Sequence, residues 1–339
     1  MRKCASIPLP KSGSKVTAVV PTYNDPEHLC VKLDELLAQS WPPQEVVVVD
    51  DASDEPVETL VRERLEGRLP CRIIRHAENQ GVVGALSNGL SAAGGEIVHL
   101  SSTNDPIMPD FLAFTAAALQ AYPHAALAFC DPGVIQGWSG KRQHFPQGLA
   151  PQPCFFTAED MAVLQRRAPF HIASNTVLFR RAALEGIGGC RSEFGVYADW
   201  YACTILSLTC GAVYIPRVLG YSRCHSGAFS KSVANTRQQR RESLARMLRA
   251  IARERPQAVE TLRQAEVLSN FRPFDLLMLC KDPEIRKFLG KRSLFQASAR
   301  YLWRLCLPVV PLALRRALRA HISRRALGAW AKRHPSKNE

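Results

Sequence analysis

VTAVVPTYND at residues 16–25 and VVVVDDASDE at residues 46–55 decide the fold of this chain. Each segment is a short β-branched apolar run that ends in a polar loop. The four consecutive valines of the second segment indicate a strand buried on both faces, as in a parallel sheet covered by helices. Between the two segments, leucines at helical spacing predict a helix over residues 27–38. The sequence therefore opens with a strand, a helix and a second strand.

The same alternation continues toward the C-terminus. It predicts helices at 57–65 and 82–93 and strands at 71–75 and 96–100. Strands that alternate with helices favour an α/β fold with a Rossmann-like, doubly wound, mostly parallel sheet. Ligands bind such sheets at the carboxyl ends of the strands. The loops that this rule selects are rich in Asp, Asn, Ser or Thr and lie at 21–25, 50–54, 76–81 and 101–105.

After residue 125 the pattern is less regular. It predicts strands at 174–180 and 212–216 and a helix at 199–210, and from residue 235 onward it is almost wholly helical. We predict a flexible N-terminus at 1–14, an α/β domain at 15–232 and a basic helical C-terminal region at 233–339.

The balance of basic and acidic residues changes near the same boundary, at residue 230. Residues 1–230 hold 19 basic and 22 acidic residues, whereas residues 231–339 hold 25 basic and 8 acidic residues. A strongly basic region attracts anionic lipids, nucleic acid or phosphorylated substrates. No helix-turn-helix, zinc-finger or aromatic RNA-binding motif accompanies it, so nucleic acid is an unlikely partner.

The cysteines and the apolar runs indicate a cytoplasmic protein. The 11 cysteines include no CxxC pair, so we expect reduced thiols and not a zinc or redox motif. The first 15 residues lack an apolar run of signal-peptide length, and we expect no export. Near the C-terminus the longest apolar stretch, residues 305–314, contains two prolines and is too short to span a bilayer.

Five segments carry a resemblance to a known family. They are VVPTYN, VVVVDDASDEP, ENQGVVGALSNGL, the strand ending in SSTNDPIMPDFL, and YADWYACTIL, over residues 15–230. In order and spacing they resemble the family 2 glycosyltransferases, which have a GT-A fold. The resemblance implies an inverting enzyme that moves a sugar from a nucleotide-diphosphate sugar, with UDP as the expected nucleotide, to a glycan or lipid-linked acceptor in surface polysaccharide or glycolipid synthesis.

The resemblance also implies roles for individual residues. Asp199 would be the general base, which takes the proton of the acceptor hydroxyl; the alternative is that Asp199 only caps its helix. Asp51 would bind the nucleotide base, and Asp50 would support its loop. The other donor-binding residues implied are Thr22, Tyr23, Gly81, Asn88 and Arg223.

The expected divalent-cation motif departs from the family pattern. Where the family has Asp-x-Asp-Asp, this chain has Ser102, Thr103, Asn104 and Asp105. Manganese and magnesium prefer oxygen ligands and gain from carboxylate charge. Three alternatives stay open: weak metal binding through Asn104, Asp105 and His225, neutralisation of the diphosphate by Arg223 or Lys231 without metal, or a catalytically silent GT-A domain that binds nucleotide or glycan.

The basic tail has two interpretations. Between residues 285 and 333, leucines and aromatics alternate with arginines, a composition that suits helices lying in a membrane interface. One hypothesis is peripheral docking on the inner face of the cytoplasmic membrane, where lipid-linked acceptors lie. The alternative is a helical subdomain that packs against the catalytic domain.

Overall fold

The computed structural model describes residues 15–137, 140–167, 170–224, 236–290 and 292–306. As predicted, the first half alternates strands and helices: β1 (Val16–Thr22), α1 (Pro26–Leu37), β2 (Glu45–Asp50), α2 (Glu58–Leu65), β3 (Cys71–Arg75), α3 (Gly81–Ala92) and β4 (Ile97–Leu100). The next helix, α4 (Phe111–Ala121), was not predicted from the sequence. The predicted flexible N-terminus, the boundary at residue 232 and residues 307–339 of the basic C-terminal region lie outside the described residues.

The second half mixes strand directions. It contains β5 (Leu127–Gln136), β6 (Lys141–His144), β7 (Cys154–Phe156), α5 (Ala158–Arg167), β8 (Val177–Arg180), α6 (Arg181–Gly186), α7 (Ala198–Cys210) and β9 (Ala212–Cys224). The predicted strand at 174–180 is wrong in its first three residues, which form a 3₁₀ turn because the Thr176 amide and hydroxyl both bond the Ala173 carbonyl. The last predicted strand extends eight residues further, to Cys224.

The strands form one sheet in the order β3-β2-β1-β4-β8-β5-β9-β7, with β6 paired to β5. The first four strands are parallel. The chain runs outward from β1 to β3 and then returns to place β4 on the other side of β1. Such a reversal opens a crevice at the carboxyl ends of the two central strands. This architecture confirms the predicted α/β fold.

Alternate residues of each central strand enter different cores. Val16, Ala18 and Val20 of β1 pack with leucines of α1, while Val19 packs on the opposite face with α3. This alternation is what a strand covered by helices on both faces requires. At Gly89 of α3, a Cβ atom would lie 2.3 Å from Val19 Cγ1. Glycine thus lets α3 approach the sheet closely and fixes the start of α3 beside the crevice.

The C-terminal helices pack on the sheet domain. They are α8 (Arg237–Glu254), α9 (Pro256–Gln264), α10 (Pro273–Leu279), α11 (Pro283–Arg286) and α12 (Ser293–Cys306). Met247 and Leu248 of α8 are fully buried in the core that also holds α7. Residues 236–290 thus pack against the sheet domain, whereas both interpretations of the basic tail at 285–333 stay predictions. Among the described helices, none is long and apolar enough to cross a bilayer.

Candidate active site

A cleft of about 820 Å³ lies at the carboxyl ends of β1, β2 and β4, where the sequence pattern placed the ligand site. The start of α3, the start of α7 and the end of β9 complete its wall. Eight of the predicted site residues line it: Thr22, Tyr23, Asp51, Gly81, Asn104, Asp105, Asp199 and Arg223. Asp50 and Asn88 lie behind the wall, and His225 and Lys231 lie outside the described residues.

Asp50 is a buried carboxylate that organises the loop after β2. Its Oδ1 accepts a hydrogen bond of 3.0 Å from the Ser53 amide, and its Oδ2 forms an ion pair with Arg75. The Arg75 guanidinium also donates to the Ser53 carbonyl, at 2.7 Å. The like charge of the neighbouring Asp51 is tolerated because Arg75 neutralises Asp50.

Asp51 points toward the cleft and is held by a chain of buried polar groups. Its Oδ1 accepts from the Gln80 amide at 2.9 Å and lies 2.6 Å from His76 Nδ1. The other ring nitrogen of His76 lies 2.8 Å from Asn88 Nδ2. Because the Asn88 amide nitrogen can only donate, His76 Nε2 accepts that hydrogen bond. The proton of the His76 ring therefore lies on Nδ1, which donates a hydrogen bond to Asp51. Asn88 therefore stands back from the cleft, and it would influence a donor through His76 and Asp51.

His76 is a residue that the sequence reasoning missed, although its loop at 76–81 was selected. A histidine after a strand carries no motif of its own. Its pairing with Asp51 depends on β2 and β3 lying side by side in parallel register.

The loops after β1 and β2 are hydrogen-bonded to each other beside Asp51. The Asn24 amide donates to Ser53 Oγ at 2.9 Å, and the Asp54 amide donates to Asn24 Oδ1 at 2.8 Å. Asn24 adopts a left-handed backbone with φ of 47°, a conformation that asparagine tolerates better than most residues. Gly81, with φ of 77°, makes the corresponding turn into α3. These conformations fix the loop edges that face the cleft.

The loop after β4 carries the altered metal motif. Thr103 donates to Asp25 at 2.8 Å, and Asp105 Oδ1 accepts from the Arg223 backbone amide at 2.8 Å. Asn104 Oδ1 is buried and has no hydrogen-bond partner within the structure's described part. A buried acceptor without a partner is costly unless a ligand satisfies it. Asn104 thus offers an oxygen atom to a ligand in the cleft.

A polar ridge at the end of α1 holds the same loop from behind. The ridge consists of Lys32 and Glu35, which share one face of α1, and Gln39, which lies two residues after the end of α1. Lys32 is completely buried and donates to the Asp105 carbonyl and to Glu35, each at 2.6 Å. Gln39 donates to the Met108 carbonyl at 2.9 Å. Burial lowers the pKa of Lys32, against the opposing effect of the Glu35 carboxylate.

Asp199 is exposed in the cleft at the start of α7. Its Oδ2 accepts from Ser174 Oγ at 3.2 Å, and its Oδ1 accepts from the Trp200 amide at 2.6 Å. The residue at the N-cap position is Tyr197, and it makes no side-chain cap. The Asp199 carboxylate is therefore held in orientation while it faces the cleft, a geometry suited to accepting a proton from a bound hydroxyl.

Arg223, at the end of β9, places a positive charge in the wall of the cleft. Its Nε donates to the Asn104 carbonyl at 3.3 Å, so the guanidinium lies beside the altered motif. Cys190 also lines the cleft, but burial raises the pKa of its thiol to about 12, and it is not a thiolate near neutral pH.

The cleft offers few protein ligands for a divalent cation. Across residues 15–306, apart from the gaps given above, no group of three His, Cys, Asp or Glu side chains could hold a metal. Asn104 and Asp105 nevertheless present two oxygen ligands in one loop. Magnesium-type sites often use one or two protein oxygens together with phosphate oxygens of the substrate. The donor set thus fits a hard cation that is bound jointly with a diphosphate.

The chain is similar in sequence to known glycosyltransferases. The sequence model of the family described as glycosyl transferase family 2 matches residues 17–187. The uncharacterized glycosyltransferase YwdF of Bacillus subtilis is 26% identical over 190 residues, which are 55% of this chain and 65% of YwdF. The poly(ribitol-phosphate) beta-N-acetylglucosaminyltransferase TarS of Staphylococcus aureus is 28% identical over 174 residues, which are 50% of this chain and 28% of TarS. The chain thus spans less than two thirds of the length of these relatives.

Two solved structures establish the fold. TarS residues 1–349 in complex with UDP-GlcNAc align with a TM-score of 0.58 at 17% identity, covering 85% of this chain and 92% of that one. The mannosyltransferase PcManGT from Pyrobaculum calidifontis, in complex with GDP-Man and Mn²⁺, aligns with a TM-score of 0.50 at 20% identity, covering 86% and 88%. These alignments confirm the GT-A fold that the resemblance implied.

Proposed function

Because this chain belongs to glycosyl transferase family 2, we propose that it transfers a hexosyl or hexosaminyl unit from a nucleotide-diphosphate sugar, with inversion, to a glycan or lipid-linked acceptor. The observation that carries the proposal is one cleft lined by Asp51, Arg223 and Asp199. These three supply a nucleotide contact, a cation for the diphosphate and a base for the acceptor. The product would be a cell-surface polysaccharide or glycolipid.

The nucleotide would bind at the end of β1 and β2. The Asp51 carboxylate can accept a hydrogen bond from a base N–H, and the exposed ring of Tyr23 can stack on the base. Thr22 Oγ1 is buried in the cleft wall with no hydrogen-bond partner among the described residues, and it is available to a nucleoside. We propose UDP as the nucleotide, in keeping with the TarS complex with UDP-GlcNAc.

Transfer would be a single displacement at the anomeric carbon. The acceptor oxygen forms a bond to that carbon as the bond to the diphosphate oxygen breaks. Asp199 takes the proton of the acceptor hydroxyl, and Ser174 and the Trp200 amide keep the carboxylate oriented. Arg223 stabilises the negative charge on the departing nucleoside diphosphate. A divalent cation held by Asn104 and Asp105 would supply further charge stabilisation when bound.

A second candidate function is a catalytically silent domain that binds nucleotide or glycan. The replacement of two motif carboxylates by Ser102 and Asn104 favours it, because a diphosphate is harder to displace without a firmly held cation. The presence of Asp199 and Arg223 in the cleft opposes it, because binding alone does not need a base that faces the acceptor side.

Calorimetric titration of UDP, GDP and dTDP, with and without Mn²⁺, tests the proposal. We expect UDP to bind with a Kd in the micromolar range, and Asp51→Ala to weaken binding at least about tenfold through the lost hydrogen bond to the base. The matched control is Asp34→Ala, which removes an exposed carboxylate of α1 that pairs with Arg64 outside the cleft. Loss of UDP affinity in the control as well would show a folding defect.

The outcomes separate the alternatives. Binding that requires Mn²⁺ supports joint coordination by Asn104, Asp105 and the diphosphate, whereas binding that ignores Mn²⁺ supports neutralisation by Arg223. Binding without any release of nucleoside diphosphate from UDP-sugars, tested with a panel of glycan acceptors, would favour the silent domain. If none of the three nucleotides binds, the donor-site proposal is wrong.

A further inference from the structure

Exposed apolar side chains are concentrated in one part of the molecule. The described residues expose eight large hydrophobic side chains, and six of these lie between residues 274 and 302. We define the docking face as Phe274, Leu277 and Met278 on α10 together with Phe295 and Leu302 on α12. Phe295 is 77% exposed, Phe274 65% and Leu302 61%. Most isolated apolar residues on a surface need no explanation, but a concentration on adjoining helices marks an interaction site.

The two helices that carry the docking face are anchored to the protein. α10 and α12 contact each other, and α12 also contacts the 3₁₀ turn at Val267–Asn270. Leu276 and Leu279 of α10 and Ala297 of α12 are buried in the main core. The exposed residues fall between these buried ones at helical spacing, so each helix has one face in the core and an apolar face in solvent.

Charges around the docking face are mainly positive. Exposed basic side chains occur at positions 272, 281, 286, 287 and 292. The same stretch has three acidic residues, Asp275, Asp282 and Glu284, against these five basic ones. Two of the three pair with arginines of α8: Arg249 contacts Asp282 at 2.7 Å, and Arg253 contacts Glu284 at 3.2 Å. An apolar face with a cationic border matches the interface of an anionic bilayer, where apolar side chains enter the acyl boundary and cations meet the headgroups.

The charge of the sequence after α12 argues against this segment covering the docking face. Residues 307–339 contain eight Lys or Arg residues and one acidic residue. Placing this segment over the docking face would bring like charges together. An anionic surface instead attracts both the border of the face and the segment after it.

We propose that α10 and α12 dock the protein on an anionic lipid surface through Phe274, Leu277, Met278, Phe295 and Leu302. The inference is independent of the proposed transfer reaction, and a failure of either leaves the other standing. It extends the membrane hypothesis for residues 285–333 to α10, which precedes that segment.

Co-sedimentation of the full chain with vesicles tests the inference. The vesicles are phosphatidylcholine alone or phosphatidylcholine with phosphatidylglycerol, and the variant is Phe274→Glu/Phe295→Glu/Leu302→Glu. Wild-type protein should bind the anionic vesicles at least about tenfold more strongly than neutral ones, with loss at high salt. The variant should bind at least about tenfold more weakly than wild type, because insertion of one large apolar side chain alone accounts for about that factor.

Val31→Glu is the matched control, since Val31 is an exposed apolar residue on α1, far from the docking face in sequence. It should bind as wild type does. Because all three substituted side chains are exposed, circular dichroism should show unchanged folding. Equal binding of variant and wild type, or no binding of wild type to anionic vesicles, overturns the inference. A wild-type dimer by light scattering that the variant dissociates would identify the face as a contact between two copies and also overturns it.

Discussion

At the residue scale, the two carboxylates that we assign to binding and to proton transfer sit in different surroundings. Asp51 is buried and receives hydrogen bonds from Gln80 and His76, whereas Asp199 is exposed and touches only a hydroxyl and one amide at its own helix start. A carboxylate with fixed partners is suited to recognition, and one open to the cleft is suited to exchange a proton.

Replacing Asp199 should affect turnover and not donor binding. We expect Asp199→Asn to lower kcat by about 10² to 10⁴, the usual contribution of a general base, with little change in the Kd for UDP. Nucleoside diphosphate release and calorimetry measure the two quantities. Ser174→Ala, which removes only an orienting hydrogen bond, should cost far less. A kcat of Asp199→Asn within threefold of wild type would contradict the assignment.

His76 should act on the donor site through Asp51. His76→Ala removes one hydrogen-bond partner from Asp51 and one from Asn88, which keep their bonds to Gln80. We therefore expect a loss of about 1–3 kcal/mol in the free energy of unfolding and weaker UDP binding. Urea denaturation and calorimetry check this. The exposed His124→Ala should change neither. Unaltered UDP affinity in a folded His76→Ala protein would show that the hydrogen bonds linking Asn88, His76 and Asp51 contribute to stability alone.

At the scale of elements, α1 connects the loop after β1, which we propose contacts the nucleotide, to the altered metal motif at residues 102–105. Its first turn follows the loop after β1. The polar ridge of Lys32 and Glu35 on α1 and Gln39 directly after it holds residues 105–112. The motif loop therefore has a fixed backbone even though two of the family's carboxylates are missing. We propose that the fixed positions of Asn104 and Asp105 would compensate in part for the lower charge of the site when a cation is bound.

Lys32 is the residue through which this connection can be tested. Lys32→Met keeps the stem volume but removes the bond to the Asp105 carbonyl. We expect Mn²⁺-dependent UDP binding to weaken about tenfold, the effect of one hydrogen bond to a charged group. Manganese titration of the UDP complex measures it, with Lys281→Met, at an exposed lysine, as the control. UDP and Mn²⁺ affinities equal to those of wild type would contradict a positioning role.

Lys32 should also give the protein a pH dependence. Burial lowers its folded-state pKa below 10.5, so in the window between the two values the unfolded chain binds more protons than the native state. The contribution of Lys32 to the free energy of unfolding should therefore rise with pH as 10.5 is approached from below. Lys32→Met should lack this rise. Urea denaturation of both proteins from pH 8 to 10.5 decides the matter, and parallel curves would contradict the assignment.

At the scale of the whole molecule, the C-terminal helices support the acceptor side of the cleft. α8 packs on the 3₁₀ turn at Ser192–Tyr197, directly before Asp199, and Arg246 donates to the Glu193 carbonyl at 3.0 Å. Arg191 of the same segment pairs with Glu254 of α8. The position of Asp199 thus depends on a helix that begins 38 residues later in the sequence.

Removing core volume from α8 should disturb both stability and turnover. Met247 is fully buried, and Met247→Ala should lower the free energy of unfolding by about 2–5 kcal/mol. Because the helices and the sheet share a core, fluorescence and circular dichroism should report one coincident transition. Val31→Ala, at an exposed apolar site, is the control. Two separate transitions would show that the helices fold as an independent unit.

The sequence by itself determined the order of strands and helices as far as β4 and the loops at the carboxyl ends of these strands. These follow from local periodicity and from the rule that parallel strands end at one edge. Asp199 and Arg223, which line the cleft outside those loops, were indicated by the family resemblance. Only the tertiary structure decided the contacts across the fold: His76 with Asp51, Lys32 with Asp105, and the Arg223 amide with Asp105, which are 25, 73 and 118 residues apart. Such contacts depend on strand register and on helix packing, and the side-chain types alone carry no signal for either.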